Sequence, residues 1–313
     1  MFAYIVRRLL ATIPVIGVVA VFVFLLLHLT PGDPAAVIAG DYARPEDIAK
    51  IRERLGLNEP IHIQFGTWLW SLVQGDLGIS IFSNLPVAKL IQQRLEPTLI
   101  LALATTILSI LIAVPLGTIA AWKAGTWIDR AVMLFAVAGF SVPIFVFGYI
   151  LMYIFSIELK WLPVQGYKPI ADGLGPLIQS ITLPTIALAI LQSALIARIT
   201  RASVMEVLNE DYIRTAHAKG LAQNTVLIRH ALKNAAVPIV TIIGISVGLL
   251  IGGVVVTESV FNLPGLGRLT VDSILRRDYP IIQGVILVFS GAFVLVNLIV
   301  DILYTLFDPR IRY

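Results

Sequence analysis

Residues 9–29, LLATIPVIGVVAVFVFLLLHL, carry no charged side chain. A helix rises 1.5 Å per residue, so about 20 apolar residues cross the roughly 30 Å hydrocarbon core of a bilayer. Comparable runs recur over residues 98–122, 131–155, 183–199, 235–256 and 281–306. Barrel strands alternate apolar and polar residues, whereas these runs are continuous, so the expected class is all-α: a polytopic membrane protein with six transmembrane helices. Composition agrees, since 58% hydrophobic against 13% charged residues leaves too few charges to coat a soluble surface.

Arg7 and Arg8 precede the first run, as in a secretory signal. The run is longer than a signal core of about 7–15 residues, so it reads as an uncleaved first helix. With no cysteine in the chain, disulfides, thiolate chemistry and Cys-based metal sites are excluded.

Lys and Arg in short connections mark the cytoplasmic side. Arg7 and Arg8, then Lys123 and Arg130, then Arg198, Arg201, Arg214, Lys219, Arg229 and Lys233, and finally Arg310 and Arg312 fall on one side if six helices alternate. Both termini are therefore expected inside. The opposite side carries the extracytoplasmic segment 30–97 and two shorter connections. In RPEDIAKIRERLGLNEP, the residues Ile48, Ile51 and Leu55 recur at helical spacing, Pro45 suits a first turn and Gly56 can end the helix. A short amphipathic helix is expected there, and one membrane domain over 1–313 accounts for the whole chain.

Catalytic signatures are missing. The span interiors are nearly free of charge, with Asp301 and Arg198 near the expected cytoplasmic ends. His28, His62, His217 and His230 form no H-E-x-x-H, and there is no G-x-x-x-x-G-K-[ST] phosphate cradle. No metal, catalytic or cofactor-binding residue is assigned. If the chain moves a solute uphill, a different polypeptide has to bind the nucleotide. A self-contained channel or secondary carrier would transport alone in liposomes, and a lipid-acting enzyme would need an intramembrane acid, base or nucleophile cluster.

The inward segment 201–233 is the most polar part of that surface. ASVMEVLNEDYIRTAHAK reads as one helix, with Val204, Leu208 and Tyr212 on one face and Gly220 at a C-terminal cap. A second helix is expected from an N-cap at Asn224 into the fifth span. Ala216, Ala218 and Gly220 offer little bulk, ringed by Arg214, His217 and Lys219. Such a segment is either a docking knob or a solvated loop; a DNA-reading helix-turn-helix does not suit a membrane-tethered hairpin.

YIRTAHAKGL followed by RHALKNA resembles the cytoplasmic coupling (EAA) loop of ABC-importer permeases of the dipeptide and oligopeptide transport family. Arg214, Thr215 and Ala216 stand where the wider pattern has Glu-Ala-Ala, and Gly220 takes the place of its glycine. LTPGDP, RLGLNEP, GDLGIS, SVPIFVFG, ESVFNLPGLG and DPRIR, in order along the chain, look like that family's B-type subunit.

The resemblance implies the type I importer permease fold and half of a translocation pathway for di- or oligopeptides, in a bacterial inner membrane. It implies ATPase coupling through Arg214, Thr215, Ala216, His217, Ala218, Lys219 and Gly220. Candidate pathway residues are Ser141, Pro143, Gln192 and Ser193, with Pro143 able to bend its span. Implied partners are a homologous second permease, two ABC ATPases holding ATP and Mg, an extracytoplasmic solute-binding protein and membrane lipid, with no nucleic acid. The same subfamily includes permeases for nickel complexes, glutathione and some oligosaccharides.

Overall fold

The computed structural model describes residues 2–29, 33–39, 43–54 and 56–307. Among them the chain is helical almost throughout, and its one extended pairing is an isolated bridge between Ile79 and Pro86. Five helices are long and apolar enough to cross a membrane, and a sixth span is a bent pair. The six-span all-α expectation therefore holds, with one span broken. DPRIR, and parts of LTPGDP and RLGLNEP, lie outside the described residues.

The chain divides into two compact units, one of which joins Arg7–Leu95 to Leu269–Val294. It holds most of α1 (Phe2–Leu29), then α2 (Pro34–Ala39), α3 (Pro45–Arg54) and α4 (Ile61–Val73), the start of α5 (Val87–Trp122), most of α12 (Leu266–Arg276) and the first half of α13 (Tyr279–Phe307). The amphipathic helix expected after Pro45 is α3, with Glu46 and Asp47 in its first turn, where the helix dipole favours acids. Gly56 follows it at φ +64°, a conformation costly for residues with a Cβ. Asp278 is 2% exposed because its carboxylate closes the turn before α5. It accepts from Ser80 Oγ at 2.5 Å and from the N–H groups of Ile81 and Phe82. Gln283 Nε2 of α13 donates to Val23 O of α1 at 3.0 Å, so two spans share a buried polar bond.

The other unit joins Glu96–Arg268 to the segment from Leu295 onward. Its hub is α8 (Leu174–Leu208): 72% of its apolar window is buried inside the protein, which marks it as central. Glycines let neighbours approach it. A Cβ on Gly117 of α5 would stand 2.6 Å from Ala197 O, and one on Gly139 of α6 (Trp127–Ser141) would meet Ala194 Cβ at 3.2 Å.

The third span departs from the single helix expected over 131–155. After α6 the chain turns by 101° into α7 (Ile144–Leu151), which runs on as a π-helix over Met152–Glu158. Pro143 lacks an N–H to continue the ladder, and it holds the preceding Val142 extended, at φ −93° and ψ 127°.

The inward segment also differs. The expected single helix is two: α8 continues the fourth span to Leu208, and α9 (Asp211–Ala218) starts afresh, so Tyr212 does not continue the Val204 and Leu208 face. Glu210, extended at ψ 146°, makes the break. The next helix, α10 (Gln223–Thr225), is N-capped by Ala222 rather than Asn224 and passes through a π-helix over Val226–Leu232 toward α11 (Ala236–Val260).

Candidate functional site

The segment α9 is a short helix with one anchored face. Ile213 and Ala216, three residues apart, are 2% and 7% exposed, packed with Ala121, Val204, Val226, Leu227 and Ala231. Arg214, Thr215, His217, Ala218, Lys219 and Gly220 are exposed. The small residues therefore do not form one knob: Ala216 seats the helix on the bundle, and Ala218 and Gly220 face outward.

The ends of α9 are fixed by backbone chemistry. Asp211 lies in its first turn and forms an exposed ion pair with Arg214 at 3.3 Å. At the other end Leu221 N–H donates to Ala216 O, and Gly220 N–H to His217 O at 2.9 Å, the paired bonds of a Schellman cap. Gly220 sits at φ +75°, and nothing lies within 4 Å of where its Cβ would be. Its role is thus conformational, and the cap exposes the α9 C-terminus.

A buried ion pair joins the first turn of α6 to α8. Arg201 donates to Asp129 from Nε at 2.5 Å and from Nη2 at 2.8 Å, and Gly125 N–H adds a bond at 2.9 Å. Asp129 is 5% exposed. The fork geometry ties the start of α6, and through Gly125 the turn before it, to α8 seven residues before that helix ends at Leu208.

Of the candidate pathway residues, Ser141 lies on a groove of about 180 Å³ between α6 and α8, together with Val137, Phe140, Leu195 and Arg198. Pro143 shapes the break beside it. Gln192 and Ser193 are elsewhere, buried against α5: Ser109 Oγ donates to Gln192 Oε1 at 3.2 Å, and Ser193 Oγ to Ser109 O at 3.4 Å. The four residues do not share one surface.

Glu258, which the sequence offered only within the family-like string ESVFNLPGLG, is fully buried at the end of α11. It accepts from Thr98 Oγ1 at 2.5 Å and from Arg268 N–H at 3.0 Å, while Leu266 N–H donates to Thr98 Oγ1. A Cβ on Gly265 would collide with its carboxylate, which explains glycine in LPGLG. One carboxylate in an apolar helix followed closely by P-G-x-G was the available signal. Among the described residues no group of three or more His, Cys, Asp or Glu could hold a metal ion.

Residues 113–313 match the family described as "Binding-protein-dependent transport system inner membrane component", and residues 1–102 match its N-terminal counterpart, "Binding-prot-dependent transport system membrane comp, N-term". The chain belongs to this family. It is a polytopic inner-membrane permease of an ABC importer, and a permease of this kind works with other transporter subunits. The permease is 56% identical over 310 residues, 99% of both chains, to "Probable peptide ABC transporter permease protein y4tP" of Sinorhizobium fredii. It is 46% identical over 313 residues, 100% of both chains, to "Glutathione transport system permease protein GsiC" of Escherichia coli K12 and of Salmonella typhimurium. The importer-permease resemblance drawn from the motifs is borne out.

Proposed function

We propose that the permease forms half of an inward pathway for di- or oligopeptides and is driven through α9 by separate cytoplasmic ATPases. The observation that carries the reading is α9 itself: a polar helix between two spans, anchored by Ile213 and Ala216 and exposing Arg214, Thr215, His217, Ala218, Lys219 and Gly220. Closure of an ATPase pair around that exposed surface pushes α9, and α9 moves the spans packed on it. The ion pair between Arg201 and Asp129 carries the push into α5 and α6. Only a ligand with unequal affinity for two states shifts their balance; here that ligand is ATP with Mg, held by the partner ATPases and not by this chain.

In this reading a homologous second permease completes the pathway, and an extracytoplasmic solute-binding protein delivers cargo. Both termini and the segment 201–233 face the cytoplasm, on the strength of the Lys and Arg distribution. Peptide cargo is supported by the name of the relative at 56% identity; glutathione, itself a small peptide, is the second reading, supported by the name of the relatives at 46%. The test uses the absence of native cysteine. Ala218→Cys in the assembled transporter should form a short-span cross-link to an ATPase subunit, and repeated failure with a folded complex would contradict the reading.

A further inference from the structure

Helix α4, IHIQFGTWLWSLV, has 13 residues and so extends about 20 Å, too short to cross the roughly 30 Å bilayer core. Yet it is apolar on two sides. One side packs on α1: Phe65 and Trp68 ring centroids lie 5.2 and 5.7 Å from that of Phe24, and Gln64 Oε1 is 3.1 Å from His28 Nε2. The other side is bare. Ile63, Gly66, Trp70 and Val73 recur at i, i+3, i+7 and i+10, one stripe of a helix. They are exposed, with Ile63 44%, Trp70 65% and Val73 72% accessible. None of the α4 residues is buried.

What covers that stripe follows from where α4 sits. Its partners on α1, Phe24 and His28, belong to the last two turns of a membrane span that ends at Leu29. The same span exposes Val15, Val18, Phe22 and Leu29 as a lipid-facing surface. Helix α4 packs on the end of that span, at the depth where hydrocarbon gives way to headgroups, where tryptophan is favoured because its ring is apolar and its N–H finds polar partners. We propose that α4 is an interfacial helix, lying in the headgroup region at the end of α1 with Ile63, Trp70 and Val73 in lipid. It anchors the segment after the first span to the bilayer surface.

The test uses the full chain in lipid nanodiscs with one nitroxide label, at Ile63→Cys, Trp70→Cys or Val73→Cys, each the single cysteine in the protein. Val18→Cys in the span and Asp76→Cys beyond α4 bracket the scale. Relaxation by oxygen relative to a water-soluble nickel chelate should give α4 ratios severalfold above position 76 and below position 18. Nickel access equal to position 76 would place the stripe in water. Exclusion of both colliders would mean protein covers it, and a ratio equal to position 18 would mean a re-entrant helix. Each of these three results overturns the proposal.

Discussion

Thr98 and Glu258 are 160 residues apart in sequence and joined by a 2.5 Å hydrogen bond at full burial of the carboxylate. The same threonine oxygen accepts from Leu266 N–H at 2.8 Å, so one side chain holds both α11 and the loop after it. Thr98→Val removes one buried hydrogen bond from each group and should cost about 1–3 kcal/mol. Gly265→Ala, which drives a methyl into the carboxylate, should cost a similar amount, on the order of 1–3 kcal/mol. Thr98→Ser should be nearly neutral. Melting of the detergent-solubilised permease checks all three.

The ion pair between Asp129 and Arg201 makes a second prediction. Their side chains are 7% and 23% exposed, so removing one partner strands a charge in a poorly hydrated place. Arg201→Gln or Asp129→Asn should each destabilise by about 2–4 kcal/mol, with the double variant losing clearly less than the sum. An additive double-mutant cycle would show that the pair does not act as a unit.

How legible this was in the sequence depended on the physical origin of each feature. The spans could be read because lipid imposes both length and continuous apolarity, and the α3 boundary because Pro45 and Gly56 act locally. Asp129 with Arg201, and Thr98 with Glu258, could not be read, since nothing local marks a partner 72 or 160 residues away. Pro143 signalled a bend but not its 101° size, which depends on what α7 packs against. The small residues of α9 suggested a knob; only helix phase on the bundle could show that Ala216 turns inward.

That phase separates two substitutions that look alike in sequence. Ala216→Trp should unseat α9 and lower stability by about 1–3 kcal/mol, because its site is already packed. Ala218→Trp should leave insertion and melting unchanged while reducing ATP-driven uptake at least tenfold. Gly220→Ala should cost about 1–2 kcal/mol through its positive φ alone. Thermal melting paired with uptake in proteoliposomes distinguishes these cases.

Tyr167 supplies a pH prediction. Burial, then its hydrogen bond and proximity to Glu96 at 2.9 Å, raise its phenol well above the ordinary value of 10.0. The folded state therefore prefers the protonated phenol. Its contribution to stability is complete below pH 10 and is lost as pH rises from there toward the folded pKa. In an alkaline ultraviolet titration Tyr167 should stay un-ionised after exposed tyrosines have titrated, and Glu96→Gln should bring its ionisation down. Ionisation of Tyr167 with the exposed set would contradict the half-buried hydrogen bond to Glu96.

Sidedness is open to direct labelling. Lys50→Cys should react with a membrane-impermeant maleimide from outside intact cells, whereas His217→Cys should react only after permeabilisation. The reverse pattern would invert the orientation drawn from Lys and Arg.

The most direct measurement is peptide uptake into proteoliposomes built from this permease alone, and then with its second permease, ATPases and binding protein added and ATP supplied on the α9 side. Accumulation should appear only with the full set and should collapse when Ala218 is replaced by Trp. Accumulation by the permease alone, or full uptake by the Trp variant, would contradict an externally driven bundle gripped at α9.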